Sequence, residues 1–384
     1  MRRLLTVLAV IVGSILCFAQ PQPQLTAKDF IKVPSGVIAL EHVRVIDGTG
    51  AAAKSDQTIL ISGDKITAIG ASGSVQVPAG ANRVDFTGYS ALPGLVGMHD
   101  HLFYPAGGGL YHDMPVSFPR LYLAAGVTTI RTTGNIEPYV DLEVKRSIDA
   151  GKAPGPKINV TAPYLEGAGT IISQLHQLSG PDDARKTVDY WADEGARSFK
   201  AYMFITRAEL KAAIDAAHAR GLKVTGHLCS IGFREAAELG IDDLEHGLEV
   251  DTEFFPEKQA DVCPSATQAA EAAAKLEVGS GPIQEMIRVL VAHHVAVTST
   301  LPVFEQGVSS RPDEPQRVME MLTEDARKAY QANRVRVAQA KDSPRPAMFQ
   351  KEMEFERAFV KAGGTLLAGL DPTGIGGTIA GFGD

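Results

Sequence analysis

Eight short apolar runs separated by stretches of helical character limit this chain to few architectures. The runs cover 91–96, 127–131, 158–161, 198–203, 223–227, 243–246, 295–301 and 365–370. Each has the length and composition of a strand. Between two of them, Thr206-Arg207-Ala208-Glu209 is a capping box that opens a helix ending near Gly221. Strands that alternate with helices in this way predict an α/β fold in which eight parallel strands close into a (β/α)8 TIM-like barrel. That barrel is expected over 91–384.

The flanking segments read differently. Residues 36–90 hold four strand-like runs (37–40, 58–62, 65–69 and 83–86) broken by Gly and Asp, the pattern of a small β module. Arg2 and Arg3 precede an apolar run from Leu4 to Ala19, which has the charged start and the length of a secretory signal over 1–19. A Gln/Pro-rich lead-in over 20–35 follows. The expected location is therefore the periplasm or outside the cell; acylation at Cys17 or a retained anchor are rival readings. If Cys17 leaves with the signal, Cys229 and Cys263 remain, and the sequence leaves their pairing open. The charged segment 311–353 reads as a solvated helical extension beside the seventh strand. The chain stops thirteen residues after Asp371, so the eighth strand has no following helix, and the expected barrel is short at its C-terminus. A net charge of -8 with no basic run excludes a nucleic-acid partner.

Chemistry concentrates at the strand ends. His99 and His101 are two apart, so on a strand both imidazoles point to one face while Asp100 points away. His227 and His246 end consecutive runs nineteen residues apart, one β/α unit each. Lys200 lies in the 198–203 run, and Asp371 follows Ala368-Gly369-Leu370. Each alone has a plain structural reading: a satisfied histidine, an exposed lysine, a turn aspartate before Pro372. Together, imidazoles and a carboxylate at strand ends predict a metal-dependent hydrolytic site at the mouth of the barrel. A lysine among cations would be repelled unless carbon dioxide converts it to a carbamate, an oxygen ligand able to bridge two metals. Tyr202, which shares the parity of Lys200, and the loop histidines His112 and His176 are candidates for substrate contact. The glycines at 107–109 lack the lysine and helix start of a phosphate loop.

Several of these segments resemble the amidohydrolase superfamily. Val45-Ile46-Asp47-Gly48-Thr49-Gly50 and Ile61-Ser62-Gly63-Asp64-Lys65-Ile66-Thr67-Ala68-Ile69-Gly70 are similar to that family's N-terminal β-sandwich half. Ala91 to Leu102, containing Pro93-Gly94-Leu95-Val96-Gly97-Met98-His99-Asp100-His101, resembles its first-strand metal motif, and Gly126-Val127-Thr128-Thr129-Ile130-Arg131 its second strand. Lys200, Glu245-His246-Gly247 and Gly369-Leu370-Asp371 complete the pattern, which is most similar to the imidazolonepropionase-like and Xaa-Pro dipeptidase-like branch. The resemblance implies two divalent ions, usually zinc. His99, His101 and Asp371 would hold one, His227 and His246 the other, and a CO2-derived carbamate on Lys200 would bridge them. It also implies a metal-activated hydroxide that attacks an amide carbonyl, with Asp371 as the catalytic proton carrier, and a small-molecule or dipeptide substrate. Rival readings are a one-metal deaminase, a lactone or ester hydrolase on the same barrel, and a degenerate barrel that only binds a metabolite. Assembly into a homo-oligomer is left open.

Overall fold

A computed structural model describes residues 26–107, 110–170 and 172–373. The expected signal over 1–19, part of the lead-in, and the tail from Gly374 lie outside the described residues. Within the lead-in, Ala27–Phe30 forms one 3-10 turn, because Asp29 accepts from the Thr26 N–H at 2.7 Å. Among the described residues, no helix is long and apolar enough to cross a membrane.

The chain forms two compact units. The smaller comprises residues up to Val45, Lys54–Ser90 and Gly151–Pro154. It contains a five-stranded sheet of β1 (Val37–Val45), β2 (Lys54–Ser62), β3 (Lys65–Ala71), β4 (Asn82–Asp85) and β5 (Ser90–Ala91), with the order β3-β2-β1-β4. β2 is antiparallel to β1 and β3, whereas β4 runs parallel to β1. Gly63 takes φ 61° in the two-residue turn between β2 and β3, a conformation that favours glycine. Among the described residues this unit is a single sheet. The facing layer of a sandwich is not formed, and Ile66 and Ile69 of β3 stay 61% and 50% exposed.

The larger unit takes Ile46–Ala53, Ala91–Ala150 and the chain from Gly155 on. Its first strand β6 (Leu95–Asp100) leads into a hairpin of β7 (Phe103–Gly107) and β8 (Leu110–Asp113), then helix α1 (Ser117–Ala124) and β9 (Val127–Thr132). After α2 (Pro138–Asp149) and β10 (Lys157–Val160), strand and helix alternate: α3 (Pro181–Glu194), β11 (Ser198–Ala201), α4 (Arg207–Ala219), β12 (Lys223–Gly226), α5 (Phe233–Leu239) and β13 (Asp243–Glu245). Two helices, α6 (Ala266–Ala274) and α7 (Gly281–Ala292), precede β14 (Ala296–Ser299). Four more, α8 (Leu301–Glu305), α9 (Gln316–Met321), α10 (Glu324–Gln339) and α11 (Arg345–Lys361), precede β15 (Leu366–Ala368).

Eight strands of this unit pair in parallel. They form a three-stranded sheet, β10-β9-β6, and a five-stranded sheet, β11-β12-β13-β14-β15. At one junction Arg197 N–H donates to Val160 O (2.8 Å) and Thr161 bridges Ser198. At the other, Asp371 N–H donates to His99 O (2.9 Å).

The helices form where local chemistry favours them. The Thr206 hydroxyl accepts from Glu209 N–H, and the Glu209 carboxylate accepts from Thr206 N–H (2.9 Å), so α4 starts as the sequence predicts. Gly195, at φ 114°, ends α3 in the left-handed region. Apolar side chains from strands and helices meet in one large core that includes Phe199, Val224, Leu244, Val297, Leu210 and Leu290. Each such buried side chain contributes about 1.5–3 kcal/mol.

One expectation is corrected here. The charged segment 311–353 does not form only a solvated extension, because the end of it starts α11, which carries Met348, Phe355 and Phe359 into the core. A sparse apolar stripe is enough to seat a helix whose other faces are charged.

Candidate active site

Five strand ends converge on one small cavity of about 70 Å³ in the larger unit. β6 brings His99 and, one residue past its end, His101. β11 brings Lys200, β12 is followed by His227, β13 by His246, and β15 leads to Asp371. All six side chains line the cavity, and Tyr202 lines it with them. The pleat explains the first pair. His99 and His101 face the cavity, while Asp100 between them turns the other way, where its Oδ2 would lie 1.7 Å from a Cβ at Gly97. Only glycine at position 97 leaves room for that carboxylate.

Backbone hydrogen bonds carry the sheet beyond the strand ends. His227 N–H donates to Ala201 O (3.0 Å) and His246 N–H to Thr298 O (2.9 Å). His246 and Asp371 both take left-handed backbone conformations, at φ 70° and 54°. For non-glycine residues this costs about 1–2 kcal/mol each, and such strain concentrates where function fixes a side chain.

Each of three histidines is tethered through one nitrogen. His99 Nδ1 lies 2.6 Å from Glu245 Oε2, so the carboxylate accepts the Nδ1 proton and leaves the Nε2 lone pair facing Lys200 Nζ at 3.1 Å. His101 Nδ1 lies 3.2 Å from Gly134 O, with Nε2 3.3 Å from Asp371 Oδ1. His246 Nδ1 lies 2.6 Å from Thr300 Oγ1. His227 packs against the rings of His246 and Tyr202 at 4.5 and 5.0 Å. Holding one nitrogen by an outer partner is how proteins orient histidine ligands.

Burial sets the electrostatics. Desolvation lowers all four imidazoles, most strongly His99 and His246, and takes His227 to about 3; the neighbouring Lys200 charge adds to the shift in each. All four are neutral at pH 7, the form that binds metals. Burial also takes Lys200 from 10.5 to about 8, against the pull of Glu245 and Asp371. Burial pushes Asp371 up, but His99, His101 and Lys200 outweigh it and hold the carboxylate below its usual range.

The donor set fits divalent metal ions. His99, His246 and Asp371 offer ligand atoms that all lie within 4.8 Å of one another. Asp371 Oδ1 is buried without a hydrogen bond of good geometry, a cost that a cation would remove. This tightest group takes one residue from the expected His227/His246 pair and two from the expected His99/His101/Asp371 set.

Two expected contact residues lie elsewhere. His112 is exposed on β8, and the period-two alternation turns its neighbour Tyr111 into the cavity instead. His176 is bound to Asp183 (3.0 Å) on the surface and lines a different groove. Cys229 is disulfide-bonded to Cys263, so it does not offer a thiol to the site.

Beneath the histidines lies a network that sequence reasoning did not assign. Arg131 donates to Asp243 (2.7 Å), Glu245 (2.9 Å) and the Met98 carbonyl (2.6 Å), and Thr225 and Thr298 complete the cluster. Two carboxylates at alternate positions of a buried strand require a buried cation, and that was the available signal. Phe103, Tyr111, Ile136, Tyr164, Ile172 and Thr373 form the rest of the wall.

No family model matches the chain. It is 31% identical over 157 residues to a dihydroorotase of Leifsonia xyli, covering 39% of this chain and 34% of that protein. An uncharacterized protein of Mycobacterium tuberculosis is also 31% identical, over 189 residues, 45% of this chain and 49% of that one. The chain thus spans between a third and a half of the curated relatives it matches. Among solved structures, a bottromycin amidohydrolase superposes with a TM-score of 0.63 at 20% identity, covering 90% of this chain and 73% of that one. A putative prolidase from Bifidobacterium longum gives 0.61 at 20%, covering 90% and 76%. A Xaa-Pro dipeptidase gives 0.60 at 16%, covering 88% and 79%. The chain thus shares its fold with solved amidohydrolase and prolidase structures, and over part of its length it is similar in sequence to a dihydroorotase.

Proposed function

We propose that the chain is a metal-dependent hydrolase that cleaves a carbon–nitrogen bond in a small amide or dipeptide. The observation that carries this reading is the convergence of four neutral imidazoles, Lys200 and Asp371 in one buried cavity at five strand ends. In this reading the eight parallel strands close as one (β/α)8 barrel, supported by the hydrogen bonds that join β10 to β11 and β15 to β6.

Two ions, with zinc the best match to imidazole and carboxylate donors, would be held by His99, His101 and Asp371 and by His227 and His246. The closeness of His99, His246 and Asp371 supports neighbouring rather than separate sites. Bound divalent ions supply Lewis acidity toward the amide carbonyl and toward water. Lys200, as a carbamate, would supply an oxygen ligand to these ions, and its lowered affinity for a proton supports this, since only a neutral amine adds to carbon dioxide. Asp371 stays ionised and buried, ready to take a proton from the attacking water and pass it to the leaving nitrogen. Tyr164 and Tyr202 line the cavity and keep bulk water out. The Cys229–Cys263 disulfide supports the export reading, since disulfides persist in oxidising compartments.

Protein supplied with zinc and bicarbonate is expected to hydrolyse at least one class of small amides. A chelator should abolish this, and Asp371→Asn should lower kcat by about a hundredfold or more. Turnover that survives both treatments contradicts the reading.

A further inference from the structure

A second cavity opens beside the first and shares two of its walls. Ile136 and Tyr164 line both. The outer groove is open to solvent, has a volume of about 360 Å³ and is floored by Tyr190 and Trp191 of α3, with Thr187 and Lys186 along the same helix. Its aromatic surface is built rather than incidental. The Trp191 ring stands 5.1 Å from both Tyr139 and Tyr190, and those two tyrosines remain 48% and 50% exposed. Concave surfaces floored by half-exposed aromatic rings suit flat apolar groups.

The inner cavity continues the same chemistry. Away from the histidines its wall is aromatic, with Phe103 and Tyr111 5.3 Å apart and Tyr164 and Tyr202 4.5 Å apart. The border between the cavities is held in place. Gln174 accepts from Tyr111 N–H (2.8 Å) and donates to Tyr111 O (3.0 Å), which ties the loop at the groove to the hairpin at the inner site.

We propose that the outer groove is a second substrate subsite. The site takes an elongated amide whose scissile bond lies in the inner cavity and whose aromatic end crosses Ile136 and Tyr164 to stack on Trp191. A short acyl amide fills only the inner cavity and forgoes the groove. The choice of substrate rests on the hydrolase reading, whereas binding in the groove does not depend on turnover.

Trp191 is the only tryptophan in the chain, so its emission reports on the groove directly. Zinc-loaded protein would be titrated with 4-phenylbutyryl-glycinamide and with acetyl-glycinamide. The long compound is expected to change Trp191 emission saturably and to bind at least tenfold more tightly than the short one. Thr187→Phe, which fills the groove, is expected to remove the emission change and most of the affinity difference. Silent emission, equal affinities, or an emission change that persists in Thr187→Phe overturns the subsite. Saturable binding without hydrolysis of either compound upholds the subsite and counts against the hydrolase reading. Hydrolysis of both with equal KM and silent Trp191 overturns the subsite alone.

Discussion

Glu245 links the cavity histidines to the charges beneath them. One carboxylate oxygen holds His99 Nδ1 at 2.6 Å and the other accepts from Arg131 at 2.9 Å, with Glu245 fully buried. Glu245→Gln keeps the shape but weakens the acceptor that fixes the His99 tautomer, so metal affinity is expected to fall about 10–100-fold. Competition with a chelator of known affinity measures this, and unchanged affinity would show that His99 is oriented by packing alone. Asp141 of α2 makes a different point about burial. It is buried near Asp113, and desolvation followed by that neighbouring charge raises it from 3.8 to about 7. The folded state therefore binds the Asp141 proton more tightly than the unfolded chain does. Stability from this group is present at low pH and is lost as pH rises from 3.8 to about 7. Asp141→Asn removes the penalty, so its advantage over the wild type should grow by up to about 1.4 kcal/mol per pH unit across that window and then level off. Denaturant melts at several pH values test this; a constant difference contradicts it. At this scale the side chains that meet in the cavity were legible because each of these histidines, Lys200 and Asp371 lies at or near the end of an apolar run. Arg131 and Glu245 were not, because their partners are far away in sequence. His112 falls outside the cavity lining, because strand phase inside this hairpin cannot be read without its partner strand.

The turn after β13 shows how an element holds a cavity side chain. His246 and Gly247 are both left-handed, and Glu352 of α11 accepts from Leu248 N–H at 2.6 Å. A Cβ at Gly247 would lie 1.8 Å from Glu352 Oε1. Gly247→Ala combines backbone strain with overlap against a buried carboxylate and should cost about 3 kcal/mol or more. Gly63→Ala has a similar φ but meets nothing within 4 Å, so about 1 kcal/mol is expected. Denaturant melts of the two variants separate strain from overlap, and equal losses would contradict the packing described for Glu352. The disulfide closes a span of 34 residues between the segment after β12 and the one before α6. Reducing it should lower stability by about 3–4 kcal/mol on the chain-entropy account; Cys263→Ser without effect would contradict that. The eight strand runs were legible at this scale because β-branched and apolar residues mark them. The role of α11 was not, since three apolar side chains seat a helix that otherwise reads as charged surface.

At the scale of the whole molecule, the larger unit gathers side chains from as far apart as His99 and Asp371 into one cavity, which a scaffold of parallel strands does economically. The alternation of strand and helix made this architecture legible from the sequence. The smaller unit was legible only as strands, because whether a sheet finds a facing layer depends on surfaces that local patterning does not encode. The proposed function turns on a two-ion site in which a modified Lys200 would be shared. The most direct test is metal content per folded chain after loading with zinc and bicarbonate, compared between wild type and Lys200→Ala. Close to two zinc ions per chain, falling toward one or fewer in Lys200→Ala, is the predicted result. About one zinc ion per chain, unchanged by Lys200→Ala, would contradict the bridge and the two-ion mechanism built on it.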